Sequence, residues 1–322
     1  MLQDVVPPTS TRTLTTITIR DLTVDGNRAK NSAAYSTYQP EVMIFTTKSL
    51  LVTNCDFINS PNSSIFLYGA GTAGVVINNS YFGNPVLFGI GADATGSHAL
   101  EAPNTFQLCA SLVLPDNILV ANSTFENGGE SVITFDATNV QIIKNIFRNN
   151  KSNTVPFNDS GGQIDLTVCT ANGAVVRNTF ENAPLGPNGQ PGGGIELHGT
   201  DLTIVNNLIT NNAGPGVATA GVQRIFLANW DQATATSGNN MGGVALYHPS
   251  GWRLDDSIVI DTSNVNGNGR YGIWIDTADT PITNVTLTND CLAGNTYGPT
   301  YLNGLGTGAL IQNNAVAACG PK

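Results

Sequence analysis

Short runs of β-branched and aliphatic residues recur along this chain, and each is closed by asparagine. The runs are Ser49-Leu-Leu-Val-Thr53, Gly74-Val-Val-Ile77, Asn117-Ile-Leu-Val120, Val140-Gln-Ile-Ile143, Ala174-Val-Val176 and Leu202-Thr-Ile-Val205. After each comes an apolar anchor between asparagines: Asn54-Cys-Asp-Phe-Ile-Asn59, Asn79-Ser-Tyr-Phe-Gly-Asn84, Asn122-Ser-Thr-Phe-Glu-Asn127, Asn145-Ile-Phe-Arg-Asn149, Asn178-Thr-Phe-Glu-Asn182 and Asn207-Leu-Ile-Thr-Asn211. The runs have strand length and strand composition, and nothing shows a helical 3.6-residue period of useful extent. Each unit therefore predicts a strand, an asparagine turn, an anchor and another turn. Recurrence at roughly 20 to 50 residues is the mark of a solenoid.

In a parallel coil, each strand pairs with its equivalents about 4.8 Å above and below. Inward Val, Ile, Leu and Phe then stack, and an inward asparagine can bond its equivalents on neighbouring coils instead of being buried unpaired. An antiparallel sandwich or propeller fits poorly, because Asn-Gly and Asp-Gly seldom form a two-residue link between the runs: the sole Asp-Gly is Asp25-Gly26, and the Asn-Gly pairs fall mainly in longer loops or near the end. The expected fold is all-β, one right-handed, single-stranded parallel β-helix spanning residues 1–322. An irregular excursion at about 85–116 and long loops at 151–162 and 183–194 interrupt the repeat. Long loops on an economical solenoid are where function sits.

Composition narrows the partners. Charged residues make up only 11% of the chain, and its net charge is −10 with 13 scattered Lys and Arg, which argues against nucleic acid. No apolar run is long enough to span a membrane. The start, Met1-Leu2-Gln3-Asp4, has no signal-peptide pattern, so either the protein is cytoplasmic or a signal is missing; no N-terminal capping helix is evident either. Cys55, Cys109, Cys169, Cys291 and Cys319 lack metal-ligand spacing and read mainly as small buried core residues, with a Cys291–Cys319 disulfide open at the C-terminal end.

The phrase Ile17-Thr-Ile-Arg-Asp-Leu-Thr-Val-Asp-Gly26, with the asparagine-anchored coils, resembles the pectate-lyase-like right-handed β-helix superfamily. That superfamily contains pectate and alginate lyases, polygalacturonase-type hydrolases, uronan epimerases and phage tailspikes. The resemblance implies a polysaccharide partner and a secreted or cell-surface location, and leaves the reaction open. Neither paired aspartates followed by Gly-His-Gly, as in polygalacturonases, nor the Asp-Pro-His of alginate epimerases occurs here. Fold does not fix function.

The site follows from register. The strands after the long loops, Gln163-Ile-Asp-Leu-Thr167 and Gly194-Ile-Glu-Leu-His198, align with Ser131-Val-Ile-Thr-Phe-Asp136, Gly216-Val-Ala-Thr-Ala220, Gly243-Val-Ala-Leu-Tyr247 and Gly272-Ile-Trp-Ile-Asp276. Period-two alternation sends one set inward and leaves two outward columns. The first is Thr134, Asp165, Glu196, Ala218, Ala245, Trp274; the second is Asp136, Thr167, His198, Ala220, Tyr247, Asp276. Asp165 and Glu196 form an exposed carboxylate pair in which one group is held protonated by the other. His198 shares their face, the alanines leave a hollow, and Asp136, Tyr247, Trp274 and Asp276 line it for substrate. His98, Trp230, Trp252 and His248 read as loop or rim residues, Asp255-Asp256 as a solvated turn, and Asp21 and Asp25 as structural.

The leading expectation is a glycoside hydrolase using Asp165 and Glu196, with His198, and no metal or cofactor. The first alternative is a polysaccharide lyase or uronan epimerase, with His198 or Tyr247 as base and calcium among Asp136, Asp165, Glu196 and Asp276. The second is a non-catalytic glycan-binding surface or phage-fibre protein. A monomer and a trimer both fit.

Overall fold

The computed structural model describes residues 2–3, 15–30, 40–68, 71–93, 109, 112–129, 131–150, 162–185, 192–227, 235–248, 255–277 and 280–317. Its strands form three parallel sheets of 11, 11 and 9 members. One coil gives a strand to each: Ile133–Phe135 to the first sheet, Thr138–Ile143 to the second and Ile146–Arg148 to the third. Neighbours within a sheet come from the coils before and after, so Ile142 lies between Val120 and Val175. One buried core runs from Ile19 to Leu292. This is the parallel β-helix that the repeat predicts.

The anchors stack as the repeat requires. Phe57, Phe82, Phe125, Phe147 and Phe180 are fully buried. Their rings lie nearly parallel, with successive centroids 5.2, 4.7, 4.9 and 4.6 Å apart. Each such burial stabilises by about 1.5–3 kcal/mol relative to exposure.

The asparagines divide into two jobs that the repeat merges. Asn54, Asn79 and Asn122 have φ of 53°, 51° and 49°, so they turn the chain through the left-handed region. Asparagine tolerates that region better than most residues. Asn145, Asn178 and Asn207 instead come one residue after the left-handed position, which Lys144, Arg177 and Asn206 occupy. Their side chains point inward. Asn145 donates its backbone and side-chain N–H to Asn178 Oδ1 at 2.8 and 3.1 Å, and Asn178 does the same to Asn207 at 2.9 and 3.0 Å. A second inward ladder at the next turn runs Asn212, Asn239, Asn268, Asn295.

Several expectations are corrected or fall outside the described residues. Cys109 and Cys169 are disulfide-bonded to each other, tying the excursion to the coil at 162–170; only Cys55 is a free buried thiol among the described residues. Cys291 is also disulfide-bonded, while Cys319, its expected partner, lies outside the described residues. Asp255 is not a solvated turn residue: it is buried and accepts the Val222 N–H at 2.8 Å. Asp21 and Asp25 accept from Asn54 and Asn59 on the next coil, as structural groups do. His98, Trp230, Trp252, the side chain of His248, most of the excursion and most of both long loops lie outside the described residues.

Candidate functional site

The outward face of the first sheet carries the titratable cluster. Register places Thr134, Asp165, Glu196, Ala218, Ala245 and Trp274 side by side on six successive strands. In the second column, Ala220, Tyr247 and Asp276 are likewise in register. The columns extend beyond the predicted set, to Tyr301 after Trp274 and to Asn303 after Asp276. Gly162 begins the Asp165 strand, and a Cβ there would sit 2.6 Å from the Glu196 backbone nitrogen. A residue without a side chain is what lets these coils close together.

The carboxylates are not exposed, contrary to the sequence-based expectation. Asp165 is 2% exposed, His198 6% and Asp136 4%. Glu196 is half-buried. Burial penalises a lone charge, so these groups require partners. Asp136 receives the Thr167 hydroxyl. Glu196 Oε2 accepts the Gly162 N–H at 3.2 Å, and its Oε1 lies 3.1 Å from His198 Nε2. The same nitrogen is 4.0 Å from Asp165 Oδ1. His198 thus sits between carboxylates from adjacent coils.

Hydrogen-bond chemistry fixes the protonation of this group. His198 Nδ1 lies 2.8 Å from the Ala220 carbonyl oxygen, which can only accept, so Nδ1 carries a hydrogen. Nε2 then faces a carboxyl oxygen of Glu196. Two lone pairs do not attract, so a second proton lies between Nε2 and Oε1. With that proton the His198–Glu196 pair is an acid; without it, the pair is a base. Asp165, 4.0 Å from His198 Nε2, stabilises the imidazolium when the proton rests on His198.

The rest of the face is aromatic. Tyr247 and Trp274 meet edge to face at 5.4 Å, and both are half-buried. Burial pushes the Tyr247 phenol up to about 12; Arg270 opposes this, while Asp276 and Glu196 add to it. Tyr247 is therefore a protonated hydroxyl at neutral pH. Asp276 accepts from Asn303 at 3.0 Å. The expected alanine hollow is narrow: Ala220 and Ala245 are buried, and Ala218 alone of the three keeps partial exposure.

Asp136, Asp165, Glu196 and Asp276 do not fit one calcium ion. Asp136 and Asp276 stand five strand steps apart, roughly 24 Å at the spacing of paired strands. A calcium ligand must lie within about 2.6 Å of the ion. Among the described residues, no three His, Cys, Asp or Glu side chains are arranged to hold a metal.

Sequence reasoning placed Asp165, Glu196 and His198 together but missed the Ala220 carbonyl and the Gly162 N–H that orient them. Backbone groups leave no residue-type signal. Arg270, whose guanidinium carbon is 5.2 Å from the Trp274 ring centre, was also missed, although it stands four residues before Trp274.

A family profile described as a right handed beta helix region matches residues 17–240 and 166–316. Among solved structures, the A-module of the mannuronan C-5 epimerase AlgE6 of Azotobacter vinelandii is similar, with 16% identity and a TM-score of 0.60 over 94% of this chain and 74% of that one. A mutant of the periplasmic alginate epimerase AlgG shows 12% identity and a TM-score of 0.50 over 94% of this chain and 85% of that one. At these identities the likeness is one of fold. No curated protein matches the sequence.

Proposed function

Because this chain belongs to the right handed beta helix family, we propose that the outward face of its first sheet acts on a polysaccharide, moving a proton at a uronate as an epimerase or lyase does. The observation that carries this reading is the placement of His198, whose Nδ1 is committed to the Ala220 carbonyl and whose Nε2 is left for a single exchangeable proton. The His198–Glu196 pair, once deprotonated, is the base. Tyr247, in the same outward column and two strands on, is about 10 Å away by backbone spacing and is the donor. A sugar over Ala218 lies between them, so a proton leaves on one side and a proton or leaving-group hydrogen bond arrives from the other. Asp165 positions the imidazole. The fold-level likeness to alginate epimerases agrees with this chemistry without establishing it. The disulfides favour an oxidising compartment and so a secreted or surface location.

Glycosidic hydrolysis is the second reading, and the in-register Asp165 and Glu196 favour it. It ranks lower because Asp165, 2% exposed, is more deeply buried than half-buried Glu196 and is poorly placed to attack or to activate water. The two are separated by incubating the protein with alginate and polygalacturonate in heavy water. Deuterium at the uronate carbon, or an unsaturated absorbing product, is expected. New reducing ends with neither signal would establish hydrolysis instead.

A further inference from the structure

The C-terminal coils of the same face carry a second cluster that proton transfer does not use. Trp274 meets Tyr301 at 6.5 Å, Tyr301 meets Tyr271 at 5.3 Å, and Tyr271 meets Tyr297 at 5.8 Å. Tyr297 is 62% exposed and Tyr301 38%. Rings left this open contribute little to a core, and the exposed Tyr297 and Tyr301 rings offer apolar surface to sugars. Arg270 lies over Trp274 and forms no ion pair among the described residues. The chain has a net charge of −10 and only 13 basic residues, so a guanidinium set among aromatic rings, with no ion pair among the described residues, is unusual for it. Arginine is also the side chain suited to bidentate carboxylate recognition.

We propose that Arg270, Trp274, Tyr297 and Tyr301 form a subsite for a carboxylated sugar, so that an anionic polysaccharide lies along the helix axis. This rests on the proposed function for the location of the reacting sugar. Trp274 is three strands from Glu196 and Tyr301 four, roughly 14 and 19 Å at strand spacing. A substrate that reaches both positions is an oligomer. Arg270 binds the carboxylate, and Trp274 with the tyrosines stacks the rings.

Affinity electrophoresis through gels cast with alginate, polygalacturonate or dextran tests this, with melting temperature as the check on folding. Wild-type protein is expected to be retarded by at least one uronan and not by dextran. Arg270→Gln and Tyr297→Ala each raise the apparent dissociation constant about tenfold, while Arg224→Gln, which removes an arginine from another face, does not. Tyr297 is exposed enough that its replacement tests the subsite even if Trp274→Ala unfolds. Unchanged retardation in both variants, equal retardation in dextran, or none in either uronan overturns the subsite. Glu196→Gln should bind like the wild type. Retardation that needs Arg270 in a protein with no turnover would leave the subsite standing and remove the reaction assigned above.

Discussion

Two polar stacks run up this β-helix, and they obey the same geometry with opposite consequences. Asn145, Asn178 and Asn207 are inward amides on successive coils, and each both donates and accepts, so the stack is satisfied by its own members and the backbone beside it. Asp165 and Glu196 are acidic neighbours on successive coils, and ionised carboxylates only accept. They cannot satisfy each other, so the coil supplies an imidazole, a backbone N–H and a proton. A stack that closes on itself is architecture. One that must borrow a proton can also lend it.

The largest expected effect breaks the second stack alone. Glu196→Gln keeps the shape and can still hydrogen-bond His198 Nε2, but it cannot hand over a proton. We expect kcat to fall by about 10²–10⁴-fold with the melting temperature unchanged. Steady-state turnover with circular dichroism decides it, and full activity would remove Glu196 from the reaction. Asn178→Ala should do the reverse, leaving two Asn145 N–H groups without an acceptor and costing roughly 2–5 kcal/mol in urea unfolding, with activity per folded molecule preserved. Asn178→Asp sharpens the contrast, because it places a carboxylate against the Ile142 and Val176 carbonyls and Asn207 Oδ1. That group is expected to stay protonated in the fold, so the variant should be most stable in acid and weaken as pH rises.

The periodic part of this molecule was legible because identical physics repeats on every coil. Phe125 and Phe147 announce their stack, and alternation alone set the column Asp165, Glu196, Ala218, Ala245, Trp274 in its observed register. What was not legible depends on single contacts. Burial of Asp165 turns an expected exposed pair into a histidine-bridged centre, and no pattern of residue types distinguishes these. Lys144 and Arg177 fill left-handed positions where asparagine was the signal, which hid the one-residue offset between turning and inward asparagines. The Cys109–Cys169 bond joins positions 60 residues apart through a segment with no repeat to align.

A smaller effect concerns a carboxyl that neither stack serves. Glu41 is buried in the first coils, and burial, with Asp25 nearby, pushes it up to about 8 against the opposing pull of a hydrogen bond from Ser64. The folded protein therefore binds a proton that the unfolded chain releases above its ordinary carboxylate range. Stability from this group is fully present below that range and is lost as pH rises toward 8. Glu41→Gln should flatten the fall, worth on the order of 2–3 kcal/mol, in thermal melts between pH 5 and 8. An unchanged slope would mean that the fold hydrates this carboxyl.

The smallest effect tests whether partnership alone, without burial, matters. Arg224 grips Asp201 through two contacts, 2.6 and 2.7 Å, which hold the Asp201 carboxyl below its usual range, yet the pair is solvent-exposed on the second sheet. Its geometry is better than that of His198 between its carboxylates. Water, however, screens it and hydrates either partner after a break, so Arg224→Gln should cost under about 1 kcal/mol, shrinking further in high salt. Urea titrations at low and high ionic strength read both numbers. A cost comparable to that of Asn178→Ala would show that close contact, not exclusion of water, gives a polar stack on this helix its weight.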